Sequence, residues 1–218
     1  MYNRMKEKII LSIAILSLLS LAIFVSAATM EEKGSGYEVT VHLSQGWNLI
    51  AGTVIEDGIS ENSDIGLNDI DAMWYYSPLQ RKYLEVYPNT DWDGINQDDE
   101  DFALTNAMWI YSKDSGNIKY NTLEDYPPLE SRQLYSGWNL VSMTPDMIES
   151  QENPDLTFEE ITGDCNVEKA YYFFDGNWVL FDMPEMDSTL LGKGMAIKVT
   201  QNCKLGKTGS STTPPALP

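Results

Sequence analysis

Apolar and polar residues alternate from Tyr37 to Leu43 (Tyr-Glu-Val-Thr-Val-His-Leu), the period-two pattern of a strand with one buried face. Short apolar runs rich in aromatic and β-branched residues follow at Trp47–Ile50, Ala72–Tyr76, Tyr83–Tyr87, Ala107–Tyr111, Leu140–Val141, Tyr171–Phe174 and Met195–Ile197. Turn-forming residues separate them. Gln45-Gly46 and Ser136-Gly137 predict hairpins leading into Trp47 and Trp138, and Asp175-Gly176 predicts another between Tyr171–Phe174 and Asn177–Phe181. Asp114-Ser115-Gly116-Asn117 marks a further turn. One stretch reads as a helix: Asn153–Ile161 opens on a cap residue and a proline, carries early acidic residues and stops at Gly163. The acidic, Gly/Asn/Ser-rich stretch from Glu56 to Asp69 occupies the equivalent place in the first half and predicts a loop.

The strands come in two sets. Val41-His42-Leu43-Ser44-Gln45-Gly46-Trp47-Asn48-Leu49-Ile50-Ala51 returns as Arg132-Gln133-Leu134-Tyr135-Ser136-Gly137-Trp138-Asn139-Leu140-Val141-Ser142. Ala72–Tyr76 then matches Ala170–Phe174, Tyr83–Pro88 matches Val179–Pro184, and Ala107–Tyr111 matches Gly194–Lys198, in the same order. Ordered self-similarity of this kind predicts a duplicated unit. The expected fold is all-β: two tandem or pseudo-symmetric copies, residues 37–126 and 127–205, of a small antiparallel sandwich or barrel, with at most one or two short helices. Residues matched between copies are expected to build the fold. On that ground Trp47, Trp138 and the aligned pair Trp74 and Tyr172 are expected in the core. A residue found in one copy only is freer to carry function.

The ends and the cysteines bear on location. A basic start at Arg4, Lys6 and Lys8 precedes an apolar run from Ile9 to Ala28 that closes on Val25-Ser26-Ala27. Residues 1–28 are expected to be a signal peptide, the alternative being an uncleaved membrane anchor. Cys165 and Cys203 flank the last strands of the second copy, and in an oxidising compartment they are expected to form a disulfide. Residues 206–218, rich in Gly, Ser, Thr and Pro, are expected to be a disordered tail. The protein is therefore expected to be secreted or held at the cell surface, touching a membrane only if the N-terminal segment is retained.

The formal net charge of −19 repels phosphate backbones, which argues against nucleic acid as a partner. The Gly-Trp-Asn-Leu-Ile/Val signature resembles a repeat of prokaryotic secreted and surface proteins that opens a small β-domain. There a later strand carries a Gly-Tyr-Trp-Val-like block, to which Ala107–Ile110 and Gly194–Ile197 are similar. The resemblance implies an envelope location and a β fold, and no defined activity.

Asn89-Thr90-Asp91-Trp92-Asp93-Gly94-Ile95-Asn96-Gln97-Asp98-Asp99-Glu100 has the spacing of a calcium loop. Oxygen-bearing residues stand at its positions 1, 3 and 5, glycine at 6 and a carboxylate at 12. It also resembles thrombospondin type 3 and EF-hand-like loops. On that likeness Asn89, Asp91, Asp93, Gln97 and Glu100 would bind calcium through side chains and Ile95 through its carbonyl. The bulky Trp92 inside the loop and Asn96, where an EF-hand has an apolar residue, depart from the pattern. Trp92 and the turn residue Tyr135 are the candidate ligand contacts. His42, the single histidine, stands on a strand away from any nucleophile motif, and nothing singles out a catalytic dyad among so many carboxylates. The expected function is a non-catalytic structural or adhesive role in a prokaryotic envelope, locally stabilised by calcium, with envelope proteins or glycans as partners. The alternative is a carbohydrate-binding module using an aromatic patch, and a glycan hydrolase stands third.

Overall fold

The computed structural model describes residues 29–33, 36–52, 58–89, 105–123, 126–148, 156–182 and 186–206. The N-terminal segment 1–28 and the tail from 207 onward lie outside them. Among the described residues no helix is long and apolar enough to cross a membrane. Among the described residues the chain is all-β, with open antiparallel sheets, no closed barrel and a single short α-helix. Strands β1 (Thr29–Lys33), β2 (Gly36–Leu43), β3 (Gly46–Ala51), β4 (Ile70–Ser77), β5 (Lys82–Tyr87), β6 (Ala107–Ser112) and β7 (Gly116–Leu123) make up the first half. Strands β8 (Gln133–Leu134), β9 (Gly137–Ser142), β10 (Val167–Phe174), β11 (Asn177–Leu180), β12 (Gly194–Val199) and β13 (Cys203–Lys204) make up the second. Helix α1 (Phe158–Thr162) lies between β9 and β10.

Two four-stranded sheets dominate, ordered β3-β6-β4-β5 and β9-β12-β10-β11. Each is entered and left through a shorter sheet, β1-β2-β7 for the first and β8-β13 for the second. The expected hairpins at Gln45-Gly46 and Ser136-Gly137 are therefore corners. At each, the chain leaves one sheet and enters the next, so the flanking strands never pair. Gly46 and Gly137 turn these corners with φ of 98° and 106°, backbone that an L side chain adopts only with strain. The asparagine two residues on locks each corner. Asn48 Oδ1 accepts the Ser44 N–H at 2.9 Å while its amide donates to the Ser44 and Gly46 carbonyls. Asn139 does the same with Tyr135 and Gly137. The Asp175-Gly176 hairpin forms as expected between β10 and β11, with both residues at positive φ.

The helix starts later than the sequence suggests. Its cap is Thr157, whose hydroxyl accepts the Glu160 N–H while Glu160 reaches back to the Thr157 N–H, a reciprocal pair that satisfies two end groups at once. That bonding holds the Glu160 carboxyl below the usual carboxylate range. Asn153 and Pro154 lie outside the described residues, as do 53–57 of the acidic loop.

Period-two alternation gives each large sheet two faces. The inner faces carry residues such as Met73, Tyr75, Ile110, Val141, Met195 and Ile197 and join one contiguous buried cluster drawn from both halves. The disulfide Cys165–Cys203 forms and ties the segment after α1 to β13. Arg132, almost fully buried, ties the start of the second half to the loop after β9. Its guanidinium donates to the Pro127 carbonyl and the Thr144 hydroxyl and pairs with Asp146.

Candidate functional site

The outer faces of the two large sheets meet along a seam. There Leu49, Ala107, Leu140 and Ala196 form a second, smaller buried cluster with Tyr76, Trp109 and Phe173 packed on it. The sheets approach closely because position 194 is glycine: a Cβ there would lie 2.5 Å from both Ala107 Cβ and Leu49 Cγ. The join is bonded twice, through bridges Ile50↔Lys193 and Asn106↔Val141. The Ser142 hydroxyl spans the same place, donating to the Asn106 carbonyl at 2.8 Å and accepting the Gly52 N–H at 3.0 Å.

Above this floor the outer faces are aromatic. Trp47 and Trp138, expected in the core, are 43% and 39% exposed. The cause is register. Asn48 and Asn139 turn toward their corner loops and Ile50 and Val141 enter the core, so Trp47 and Trp138 take the opposite face with Leu49 and Leu140. Register also corrects the alignment of the halves. Trp74 pairs with Trp109 in the first sheet, and Tyr171 pairs with Ala196 in the second, so the residue at the place of Trp74 is Tyr171 and not Tyr172. Likewise Tyr76 pairs with Tyr83 and Phe173 with Trp178. A slip of one residue exchanges faces, and with the ladder-based pairing Trp47/Trp138, Trp74/Tyr171, Tyr76/Phe173 and Tyr83/Trp178 all stand on outer faces.

Ring contacts run without a break from one sheet to the other. Trp47 touches Tyr111 and Trp109 with centroids 5.1 and 6.2 Å apart. Trp109 crosses the seam to Phe173 at 4.8 Å and Trp178 at 5.5 Å. Trp178 continues to Tyr171, and Tyr171 to Trp138 at 6.0 Å. Most of these rings meet edge-to-face, an arrangement aromatic pairs favour over direct stacking. They enclose two adjoining clefts that share Tyr83. One, of about 550 Å³, is lined by Trp47, Trp74, Tyr83, Trp109 and Phe173. The other, of about 540 Å³, runs over Trp138, Tyr171, Trp178 and Tyr76 and is edged by Lys169. Tyr83 and Trp178, 52% and 47% exposed, are the most accessible rings. Lys169 edges the second cleft, and Lys198, opposite it in the ladder, forms an ion pair with Glu168 at 2.8 Å that holds the Glu168 carboxyl below its usual range.

Of the residues singled out from sequence as site candidates, none that the structure describes lines the groove. Asn89 is an exposed bend residue after β5, whereas Asp91, Trp92, Asp93, Ile95, Gln97 and Glu100 lie outside the described residues. Among the described residues no three His, Cys, Asp or Glu side chains gather at one point. Tyr135 is half-buried at the second corner, where the Asn139 side chain holds its backbone N–H and carbonyl, and it does not line the groove. His42 is exposed and bonds Asn117 Oδ1 through Nδ1 at 3.2 Å. The sequence signal for the groove was that both alternating sets in β4, β6 and β10 are apolar or aromatic. A strand with one buried face has no use for a second apolar face unless something else covers or uses it. Compared with known proteins, the chain matches no family model, no curated protein and no solved structure.

Proposed function

We propose that this is a non-catalytic, secreted or surface-held protein built from a duplicated β unit, which adheres to carbohydrate through its aromatic groove. The observation that carries the reading is the outer-face aromatic set: matched positions in both large sheets bear Trp, Tyr or Phe, and together they wall two adjoining clefts. Sugar rings have apolar C–H faces that pack on aromatic rings and hydroxyl edges that need polar partners. Walls of Trp and Tyr with a rim of Tyr hydroxyls and Lys169 supply both. The duplication is supported by the common strand order and by equivalent corner bonds at Asn48 and Asn139. Location outside the cytoplasm is supported by the signal-like N-terminus and agrees with the disulfide. A local calcium site at Asn89–Glu100 belongs to the same proposal and rests on the spacing of its oxygen-bearing residues.

Binding of the purified protein to a glycan array, followed by affinity electrophoresis in the retained polysaccharides, tests the reading. Trp178→Ala and Trp47→Ala should each weaken binding about thirtyfold, since truncating an aromatic anchor at the centre of an interface costs about 2 kcal/mol. Their far-ultraviolet spectra should stay unchanged, because both rings lie outside the main core. Failure to retain any glycan, or wild-type binding by both variants, refutes it.

A further inference from the structure

Across Phe173 from the aromatic groove lies a third cleft, of about 400 Å³, with a different lining: His42, Asn117, Phe173, Phe174, Asp175 and Lys193 stand around it. Lys193 is anchored at the join between the halves. Its backbone bridges Ile50, and its carbonyl accepts the Met143 N–H at 2.9 Å. Its ammonium lies 5.7 Å from the centre of the Phe174 ring, and no salt bridge or hydrogen bond engages it among the described residues. Burial lowers its pKa, opposed by the charge of Asp187. A partly buried ammonium without a bonded partner gains from an anion. His42 commits Nδ1 to Asn117, which leaves Nε2 for another partner. Asp175, exposed at the hairpin tip with φ of 46°, offers a carboxylate at the rim.

These groups occur on one side of the molecule only. In the ladders Lys193 stands where the other half has Asn106, since the bridges Ile50↔Lys193 and Asn106↔Val141 mirror one another. His42 stands where the other half has Gln133, and Phe174 where it has Ser77. Asp175, next in the chain, takes the place of Pro78. The scaffold of the cleft is thus present twice, while its imidazole and both its charges are present once. Fold-building does not require them.

We infer that this cleft takes a carboxylate-bearing sugar unit of an acidic glycan whose neighbouring units lie in the aromatic groove. Lys193 pairs with the uronate carboxylate, Phe173 and Phe174 cover the apolar face of the ring, and Asp175 and His42 Nε2 bond its hydroxyls. The inference rests on the groove binding carbohydrate and names the class of glycan. A chain of net charge −19 repels polyanions at long range, so a preference for an acidic glycan has to come from a local cation.

The test compares uronate oligosaccharides, such as oligogalacturonate and oligomannuronate, with their methyl esters and with neutral oligosaccharides, by calorimetry on the full chain. Methyl esterification removes the charge and keeps the ring. The wild type should prefer the acid over its ester about tenfold, the worth of one charge-assisted bond. Lys193→Gln should abolish the preference for the acid and invert it, because the net negative field then acts alone. Lys193→Arg should retain it. Equal binding of acid and ester by the wild type, or an unchanged preference in Lys193→Gln, overturns the inference while leaving the groove reading intact. Binding of neutral oligosaccharides alone does the same. Absence of binding to every oligosaccharide removes both.

Discussion

The asparagine of the Gly-Trp-Asn signature should be worth far more in the second half than in the first, although the sequence gives the two the same neighbours. At Asn139 the side chain accepts the Tyr135 N–H at 2.9 Å and donates to the Tyr135 and Gly137 carbonyls at 2.8 and 3.2 Å. The residue is 1% exposed. Asn139→Ala strips both backbone groups of Tyr135 of their partner and leaves a gap where the buried amide stood, which water reaches poorly. A buried polar group left unsatisfied costs about 1–3 kcal/mol, so the loss should be about 3 kcal/mol. Asn48 makes the same bonds at a half-buried corner, where water can replace the amide, and Asn48→Ala should cost about 1 kcal/mol.

Urea unfolding followed by tryptophan fluorescence and by circular dichroism measures both losses, which should appear in the midpoint with the slope unchanged. At about 2–4 °C per kcal/mol for a chain of this size, the melting temperature should fall by about 6–12 °C for Asn139→Ala and about 2–4 °C for Asn48→Ala. Asn139→Asp should be worse than alanine at neutral pH, because a carboxylate would face the Tyr135 and Gly137 carbonyls. Burial and those carbonyls raise the pKa of such an acid, so its penalty should shrink as the pH falls toward 4 and the protonated form becomes a donor. Equal losses at the two positions, or less than about 1 kcal/mol at Asn139, would show that the amide does not hold the corner.

Two further perturbations follow from the second half and from the acidic loop. Cys165→Ser with Cys203→Ser removes a bridge with a sequence separation of 38, and should cost about 4 kcal/mol by loop-closure entropy in urea unfolding; a loss under 1 kcal/mol would mean that the bonds joining β8 and β13 already constrain that end. Millimolar calcium should raise the melting temperature through residues 89–100, by mass action on the folded state, and Asp93→Ala should abolish that rise. No heat in a calcium titration at millimolar calcium returns that loop to an acidic surface.

Strands and turns were legible because they depend on local chemistry: period-two alternation, Gly at positive φ, Asp-Gly at the tip of β10 and β11. The faces were not. In Ala72–Tyr76 both alternating sets are apolar or aromatic, and in Trp47-Asn48-Leu49-Ile50 the set that carries the polar Asn48 is the one whose Ile50 enters the main core, so periodicity cannot say which set meets the core. Burial is decided by Gly194, Leu49 and Ala107, which bring two sheets together from distant parts of the chain. The groove became visible only once that contact fixed the register. Corners read as hairpins for a related reason. Gly46 demands a positive φ in either case, and only the partner strands β6 and β7, more than 50 positions away, decide that β2 and β3 lie in different sheets. The helix cap moved to Thr157 because Glu160 three residues on completes a capping box that Asn153 and Pro154 do not offer.

An exposed aromatic groove is a liability in a protein that has nothing bound there, since such faces bury themselves against each other. Here the opposing term is charge. With a formal net charge of −19, two copies approaching groove to groove repel one another, and that repulsion depends on ionic strength in a way that burial of Trp and Tyr rings does not. At about 1 M salt the screening length falls to about 3 Å, short enough to remove the repulsion while leaving the apolar attraction intact. Sedimentation velocity should therefore find monomers at about 10 mM salt and concentration-dependent association at about 1 M. Trp178→Ala should weaken that association, because Trp178 is among the most exposed rings and joins the two walls through Trp109 and Tyr171. A bound oligosaccharide should suppress it by occupying the same surface. A protein that stays monomeric at both salt concentrations would show that the rings satisfy one another well enough to need neither charge nor ligand, and the groove would then be a structural seam between the sheets.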